Sequence, residues 1–223
     1  MTADEYKKIM AFKKGWSPGI DAIDDCMKSI YGNQIPQRFD TNPDFRVASG
    51  GTEYLDGFSV YRSPHGYLHL VSFGMSELYA NEMAFGMSCS KWGYEMTIKI
   101  PYCEPDDFMW AFDLLAKLAK YTFESNHDLR PHQHTIDTNK PLKPGSGSKL
   151  TGLMVVSDTE LNNVNTIHGQ LGFIQIVGIT KEEVSRLVFS PGIEASKHFV
   201  EIMKKDNPYL VTYLDRKLSY AWN

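Results

Sequence analysis

The sequence has little cysteine, and its cysteines do not follow the patterns of disulfide-linked or zinc-linked proteins. Three cysteines, at positions 26, 89 and 103, lie far apart and form no Cys-x-x-Cys pair. An odd number of scattered cysteines indicates neither a disulfide framework nor a zinc ribbon. We expect reduced thiols. Cys103 is a poor candidate for a nucleophile, because the acidic residues that follow it would raise the pKa of its thiol.

Charge of one sign and long apolar runs are also missing. The chain has 23 basic and 27 acidic residues, interleaved, for a net charge of -4. Such a balance offers no polyanion-binding surface, so we predict no nucleic-acid partner. The longest apolar stretches, such as Leu153 to Val156, fall well short of the roughly 20 residues that span a bilayer. Met1 to Lys14 lacks the apolar core of a signal peptide. We therefore predict a cytoplasmic protein without a membrane span.

Common catalytic and cofactor-binding motifs are absent as well. The sequence contains no Gly-x-Ser-x-Gly elbow and no Gly-x-Gly-x-x-Gly after a predicted strand. Gly145 to Lys149 lacks the full phosphate-loop pattern and the strand before it. We predict no cofactor, and neither an esterase-type hydrolase nor a dehydrogenase is indicated.

Helical periodicity marks several segments. Apolar residues recur at steps of three and four over Ser17 to Tyr31 and over Asp106 to Glu124. Thr180 and Glu183 are spaced as a capping box ahead of another helix, and one more helix is predicted after Pro191. We predict a helical N-terminal extension over residues 1–15, followed by a single domain over residues 16–223.

Strand patterns supply the rest of the predicted fold. The predicted strands are Phe58 to Arg62, Tyr67 to Phe73, Tyr94 to Ile100, Leu150 to Val156, Leu171 to Ile179 and Tyr209 to Leu214. The first two form a hairpin. In the third, apolar residues alternate with Glu95, Thr97 and Lys99, which predicts a sheet with one wet face. The predicted class is α+β, with a mostly antiparallel sheet covered by helices.

One loop carries metal-ligand residue types. His127, Asp128, His132, His134 and Asp137 fall within eleven positions, and the His-x-His pair could hold zinc at one face of a strand. The alternative is a polar loop that is rich in histidine. A small metal-dependent hydrolase that uses His127, His132, His134 and Asp137 is therefore the second of two functional hypotheses.

Several longer motifs, in order, resemble one family. They are Gly19 to Ile23, Tyr31 to Gln34, Leu55 to Tyr61, His69 to Tyr79, Gly93 to Thr97 and Gly172 to Thr180. The run His-Leu-Val-Ser-Phe-Gly-Met-Ser-Glu-Leu-Tyr, from His69 to Tyr79, carries the most distinctive of these signatures. Together they resemble the suppressor of fused family over about Pro18 to Tyr220. Family members often have His-Trp-His where this chain has Tyr67, Leu68 and His69.

The resemblance implies a function as well as a fold. Animal members clasp Gli transcription factors and have a second domain, so this chain resembles a stand-alone, bacterial-type member. The family implies a non-catalytic module that binds a protein or peptide partner. Bacterial members have been proposed as immunity proteins that neutralise partner toxins, and the resemblance extends that expectation to this chain.

The predicted binding surface is the hairpin Phe58 to Phe73 and its exit to Tyr79. A sheet edge offers unpaired backbone groups that an extended peptide can complete. We predict Tyr61, Arg62, His69 and Tyr79 as exposed anchors for a partner, with a core position for Tyr61 and Tyr79 as the alternative. We also predict that Glu77 accepts hydrogen bonds from backbone donors at the strand exit.

Overall fold

A mixed β-sheet forms the centre of the molecule in the computed structural model, which describes residues 1–221. Its strands are β1 (Gln37–Asp40), β2 (Gly57–Arg62), β3 (Tyr67–Phe73), β4 (Cys89–Pro101), β5 (Thr135–Asp137), β6 (Leu150–Ser157), β7 (Val164–Thr166) and β8 (Gly169–Thr180). The helices are α1 (Ala3–Phe12), α2 (Pro18–Tyr31), α3 (Pro105–Ser125), α4 (Lys181–Phe189) and α5 (Ile193–Lys204). Over these residues the strand order is β1-β2-β3-β4-β8-β6-β5, and β7 pairs with β8.

The predicted class is confirmed. Within the described residues, β4 and β8 run parallel and the other neighbouring strands run antiparallel. The long central strands β4 and β8 join the two halves of the chain in one sheet. The capping box at the start of α4 is present as predicted, with the Thr180 hydroxyl and the Glu183 carboxylate each accepting the other residue's backbone N–H.

Helix α3 covers one face of the sheet. Its apolar stripe, which includes Phe108, Phe112 and Leu115, packs on side chains of β2, β3, β4, β6 and β8. Ile98 and Ile176 are two of the fully buried strand residues on this face. The largest cluster of buried hydrophobic residues in the described chain lies on this face.

The opposite face is covered by α2 over one half and by α4 and α5 over the other. Helix α2 approaches the chain closely at Gly19, where the backbone N–H donates to Leu78 O at 3.0 Å. A Cβ at this position would lie 2.0 Å from Glu77 O, so only glycine fits. Helices on both faces leave no room for the predicted wet face.

Two predictions about the strands are wrong. Glu95, Thr97 and Lys99 are fully buried rather than solvated, because residues 72–76 enclose Glu95 and the loop after β6 covers Thr97 and Lys99. Residues 209–214 do not form a strand, since the side-chain amide of Gln175 binds the carbonyls of Tyr209 and Leu210. In addition, Leu210 has a left-handed φ of 52°, which interrupts an extended conformation.

Residues Ala3–Phe12 of the predicted N-terminal extension form helix α1. The division into residues 1–15 and 16–223 stays a prediction, and positions 222 and 223 lie outside the described residues. None of the helices in residues 1–221 has both the length and the apolar character of a transmembrane helix.

Candidate functional site

A buried polar network occupies the middle of the face under α2. The register places Tyr61, His69 and Lys99 side by side on β2, β3 and β4. His69 Nε2 lies 3.0 Å from Asp158 Oδ2, and Lys99 Nζ lies 3.3 Å from Asp158 Oδ1. Lys99 Nζ also lies 2.7 Å from Glu160 Oε2. His69 and Lys99 therefore both contact acidic side chains from the loop after β6.

Asp158 is the centre of this network. Although burial raises its pKa, His69, Lys99 and a hydrogen bond from Thr97 together hold the pKa of Asp158 well below its ordinary value. Because an ionised carboxylate only accepts, His69 presents an N–H at Nε2. The other ring nitrogen, Nδ1, lies 2.9 Å from the Tyr31 hydroxyl. Burial and the nearby Glu160 raise the pKa of Tyr31 far above its ordinary range.

The same carboxylate fixes the loop that covers the strands. Asp158 Oδ1 accepts the backbone N–H groups of Glu160 and Leu161, at 2.8 and 3.1 Å. The Tyr67 hydroxyl donates to Glu160 Oε2 at 2.6 Å. His, Lys, Asp and Glu are general acid–base residue types. Here each is bonded to another protein group, and both His69 and Asp158 have side chains with no exposed surface. The members of the network therefore satisfy one another's hydrogen bonds, and Glu160, which is 14% exposed, is the member that reaches the surface.

A second buried acid, Glu95, organises the exit of β3. Its carboxylate accepts the backbone N–H groups of Gly74, Met75 and Ser76, and the hydroxyls of Ser72 and Ser76. Burial raises the pKa of Glu95, and these hydrogen bonds oppose that rise. The capping role predicted for Glu77 therefore belongs to Glu95.

Glu77 itself has a different role. Its side chain is half-buried and accepts from the Asn81 amide at 3.2 Å, and its own backbone N–H donates to Ser90 Oγ. The sequence pattern does not distinguish the buried Glu95 from a solvated acid, because an acid that alternates with apolar residues in a strand looks the same in either case.

Two of the four predicted partner anchors are buried. Tyr61 is 3% exposed and stacks on Tyr31 with ring centroids 5.1 Å apart, and His69 is 0% exposed. Their predicted exposure is wrong, because α2 packs on this side of the hairpin. The hairpin is also not an edge, since β1 pairs with β2 along Gly57 to Val60. Arg62 and Tyr79 remain on the surface.

Arg62 lies at one end of β1, just beyond the last β1–β2 pair. The Gln34 side-chain amide takes the place of a neighbouring strand here: its Oε1 accepts Arg62 N–H at 2.7 Å, and its Nε2 donates to Arg62 O at 2.9 Å. The Arg62 guanidinium lies over the Tyr102 ring, 5.6 Å from the centroid. A surface cavity of about 470 Å³ adjoins it and includes Ile35 and Glu104.

Tyr79 lies at the other end of β1. Its hydroxyl donates to Asp56 Oδ2 at 2.7 Å and accepts from Arg46, which also pairs with Asp56. A second cavity, of about 490 Å³, adjoins these residues and is lined in part by Lys91 and Phe123. We call β1 and the two flanking cavities, with Arg62 and Tyr79, the β1 edge surface.

The histidine-rich loop does not assemble a metal site. The His127 ring is bonded to Ser125 O, His132 Nδ1 lies 3.2 Å from Ser196 Oγ, and His134 Nδ1 accepts the Arg130 N–H. Asp137, the fourth candidate ligand, accepts the Asn139 N–H. Over residues 1–221, no group of three or more His, Cys, Asp or Glu side chains is placed to hold a metal ion. The metal-dependent hydrolase hypothesis is therefore not supported.

Comparison with known proteins places this geometry in a family. Residues 51–217 match the family model described as Suppressor of fused protein (SUFU). The human Suppressor of fused homolog is 28% identical over 179 residues, which cover 74% of this chain and 36% of the human protein. The mouse homolog gives the same values. The chain thus spans about a third of the length of these curated relatives.

Solved structures agree with the sequence matches. A chain of the Sufu-Fu complex crystal structure aligns with a TM-score of 0.79 and 27% identity, covering 92% of this chain and 93% of that one. Drosophila Suppressor of Fused aligns with a TM-score of 0.78 and 27% identity, covering 92% of this chain and 51% of that one. A Neisseria gonorrhoeae FA 1090 homolog aligns with a TM-score of 0.59 and 16% identity, covering 91% of this chain and 97% of that one. At this identity the match shows a shared fold alone. The chain belongs to the Suppressor of fused family.

Proposed function

We propose that this chain is a non-catalytic protein-binding module that takes an extended peptide of its partner along the β1 edge surface. The observation that carries the proposal is the position of β1: it is a terminal strand in the sheet order of residues 1–221, with a cavity at each end. Three of its four residues are exposed. The acid–base side chains of the buried network are bonded to one another, and His69 and Asp158 have no exposed surface, which supports a role for the protein surface rather than for catalysis.

Backbone pairing is the physical basis of such binding. An edge strand presents N–H and C=O groups that a partner strand can satisfy, while side chains in flanking pockets supply specificity. Strand β1 is about 13 Å long at roughly 3.3 Å per residue. A partner peptide that pairs along β1 and continues past both of its ends would extend towards the Arg62 cavity on one side and the Tyr79 cavity on the other. At the Arg62 end, the Gln34 amide pairs with the backbone of β2 where β1 does not reach, so the sheet edge continues past the end of β1.

The family supports a protein partner without identifying it. The Sufu-Fu complex contains a related chain assembled with another protein. This chain covers 36% of the human relative, so the partners of the whole relative are not transferred to it.

The test begins with cross-linking mass spectrometry in native lysate, followed by binding measurements with the purified partner. We expect Arg62→Glu and Tyr79→Ala each to weaken binding by about tenfold or more, as anchor residues commonly do. Matched controls are Arg130→Glu, a second exposed arginine, and Tyr121→Ala, a second exposed tyrosine. Equal effects of the control and test variants would place the interface elsewhere and contradict the proposal.

A narrower hypothesis takes the partner to be a toxin that this chain neutralises in the cytoplasm. Its support is the resemblance to bacterial-type members. Expressing the identified partner alone should arrest growth of the host, and adding this chain, but not its Arg62→Glu variant, should restore it. Normal growth with the partner alone would reject the toxin hypothesis and leave the binding module intact.

A further inference from the structure

Helix α1 contacts the rest of the protein through one buried side chain. The structure describes every residue of α1, and among them only Tyr6 is buried, with 1% of its surface exposed. Its ring lies 5.1 Å from the Trp16 ring and 4.7 Å from the Phe85 ring, measured between centroids. The ring also meets the edge of His168. Except for Ile9 and Met10, which are half-buried, the other side chains of α1 are exposed, so Tyr6 is the one that lies fully inside an aromatic pocket.

The Tyr6 hydroxyl has two hydrogen-bond partners in this pocket, a backbone N–H and a histidine ring nitrogen. Asn81 N–H donates to the hydroxyl at 2.7 Å. His168 Nε2 lies 2.8 Å from the hydroxyl, and His168 Nδ1 lies 3.2 Å from Glu77 O. Because a carbonyl oxygen only accepts, Nδ1 carries the proton, and in a neutral ring Nε2 accepts from Tyr6. The pocket therefore offers the hydroxyl one donor and one acceptor, both on the main body of the protein.

Other contacts of α1 are weak. The ion pair between Lys7 and Glu82, at 3.2 Å, joins side chains that are 56% and 45% exposed. Exposed pairs of this kind contribute little to stability. The capping box of Thr2 and Glu5 lies within the helix and does not attach it to the sheet. An isolated helix of ten residues is marginal in water, so α1 depends on its packing against the rest of the protein, in which Tyr6 is the most deeply buried side chain.

We propose that the pocket formed by Trp16, Phe85, Asn81 and His168 is a phenol-specific binding site whose ligand in this structure is the chain's own Tyr6. We name it the Tyr6 socket. Helix α1 then detaches from the rest of the protein when Tyr6 leaves the socket, and the sheet stays folded. The inference does not depend on the proposed function. It concerns a different part of the surface from β1 and a different ligand chemistry, a tyrosyl side chain.

The hydroxyl distinguishes this site from an ordinary apolar contact. A ligand without it leaves the Asn81 N–H and the His168 nitrogen without partners in a buried position, which is costly. The socket should accordingly prefer phenols to apolar rings of the same size. Phe12, on the same helix, is 90% exposed and provides a matched control for the loss of an aromatic ring.

The first measurement is backbone amide hydrogen exchange on the full chain. In Tyr6→Ala we expect the α1 amides to lose their protection while the sheet amides keep theirs. In Tyr6→Phe we expect α1 exchange to be about tenfold faster than in the wild type, because the hydroxyl hydrogen bonds are lost. Phe12→Ala should exchange like the wild type. Protection of α1 that survives Tyr6→Ala would overturn the proposal, as would loss of protection throughout the sheet.

The second measurement uses p-cresol as a phenol probe and toluene as its counterpart without a hydroxyl. In Tyr6→Ala, p-cresol should shift the NMR resonances of the Trp16 indole and the Asn81 amide saturably, and toluene should bind about tenfold more weakly. The wild type should not respond, because Tyr6 fills the socket. Equal responses of the two proteins, no response in either, or equal binding of the two probes would contradict a phenol-specific site.

Discussion

The two faces of the sheet are built differently although both are buried. The face under α3 is packed with aliphatic and aromatic side chains. The centre of the face under α2 holds His69, Lys99 and Asp158, linked to one another and to the loop after β6. Apolar packing tolerates small losses in proportion to the volume removed. A buried polar network does not, because removing one member leaves the others unsatisfied.

This difference separates stability from function. The polar face contains the residue types that an acid–base enzyme would use, and their mutual pairing makes them structural. The binding surface that we propose lies instead at β1, where side chains are exposed and individually less important for the fold. Substitutions can therefore test the two regions separately.

The largest effect should come from the centre of the polar face. Asp158→Ala removes the acceptor for His69, Lys99 and two loop N–H groups. We expect it to lower the free energy of unfolding by about 3–5 kcal/mol, as for a buried pair that loses one member. Urea denaturation measures this quantity. A loss below about 1 kcal/mol would show that the network is solvated, since exposed ion pairs contribute in that range.

The free energy of unfolding should also depend on pH through Asp158. The folded pKa of Asp158 lies below its unfolded value of about 3.9, so the unfolded chain takes up this proton first as the pH falls. The contribution is therefore complete above about pH 5 and is lost below about pH 4, at up to about 1.4 kcal/mol per pH unit. The stability difference between the wild type and Asp158→Ala should shrink over pH 5 to 2.5. A difference that stays constant over this interval would contradict the assignment.

Glu95 should show an intermediate effect. Glu95→Gln replaces one accepting oxygen by an amide that faces N–H and O–H donors, and we expect a loss of about 1–3 kcal/mol. Glu77→Gln is the matched control, and it should change the free energy of unfolding by less than about 0.5 kcal/mol. Equal losses in the two variants would mean that the β3 exit is not organised by Glu95.

A conservative change on the apolar face should be milder. Ile98 is fully buried opposite the polar row, and Ile98→Val removes one methylene. We expect a loss of about 0.5–1.5 kcal/mol. If Ile98→Val cost as much as Asp158→Ala, the contrast between the two faces would fail.

The smallest effect is expected near the sheet edge. Arg38 and Asp24 form an ion pair whose side chains are each 37% exposed. Replacing Arg38 by alanine should cost about 0–1 kcal/mol, and salt should reduce even that. Urea denaturation at low and high ionic strength checks both statements.

Periodicity was sufficient to predict most helices and strands, because apolar spacing follows from which side of an element is buried. It could not show that Glu95, Thr97 and Lys99 are buried, since an alternating strand looks the same whether its polar side meets water or a covering helix. Asp158 lies in a loop without a pattern, and its role depends on strands that are distant in sequence. Tyr6 gives no signal either, because a single aromatic residue in a polar helix is common on protein surfaces.

The sealed polar face can be tested directly through the reactivity of His69 with diethyl pyrocarbonate, which modifies accessible imidazoles. His65 is exposed and lies four residues away in the same hairpin, so it serves as an internal reference. In the native protein, mass spectrometry should find His65 modified and His69 unmodified, and in denaturant both should react. Modification of His69 as fast as His65 while the sheet amides stay protected would show that the network is open to solvent. That result would contradict the sealed polar face and the purely structural role assigned to its side chains.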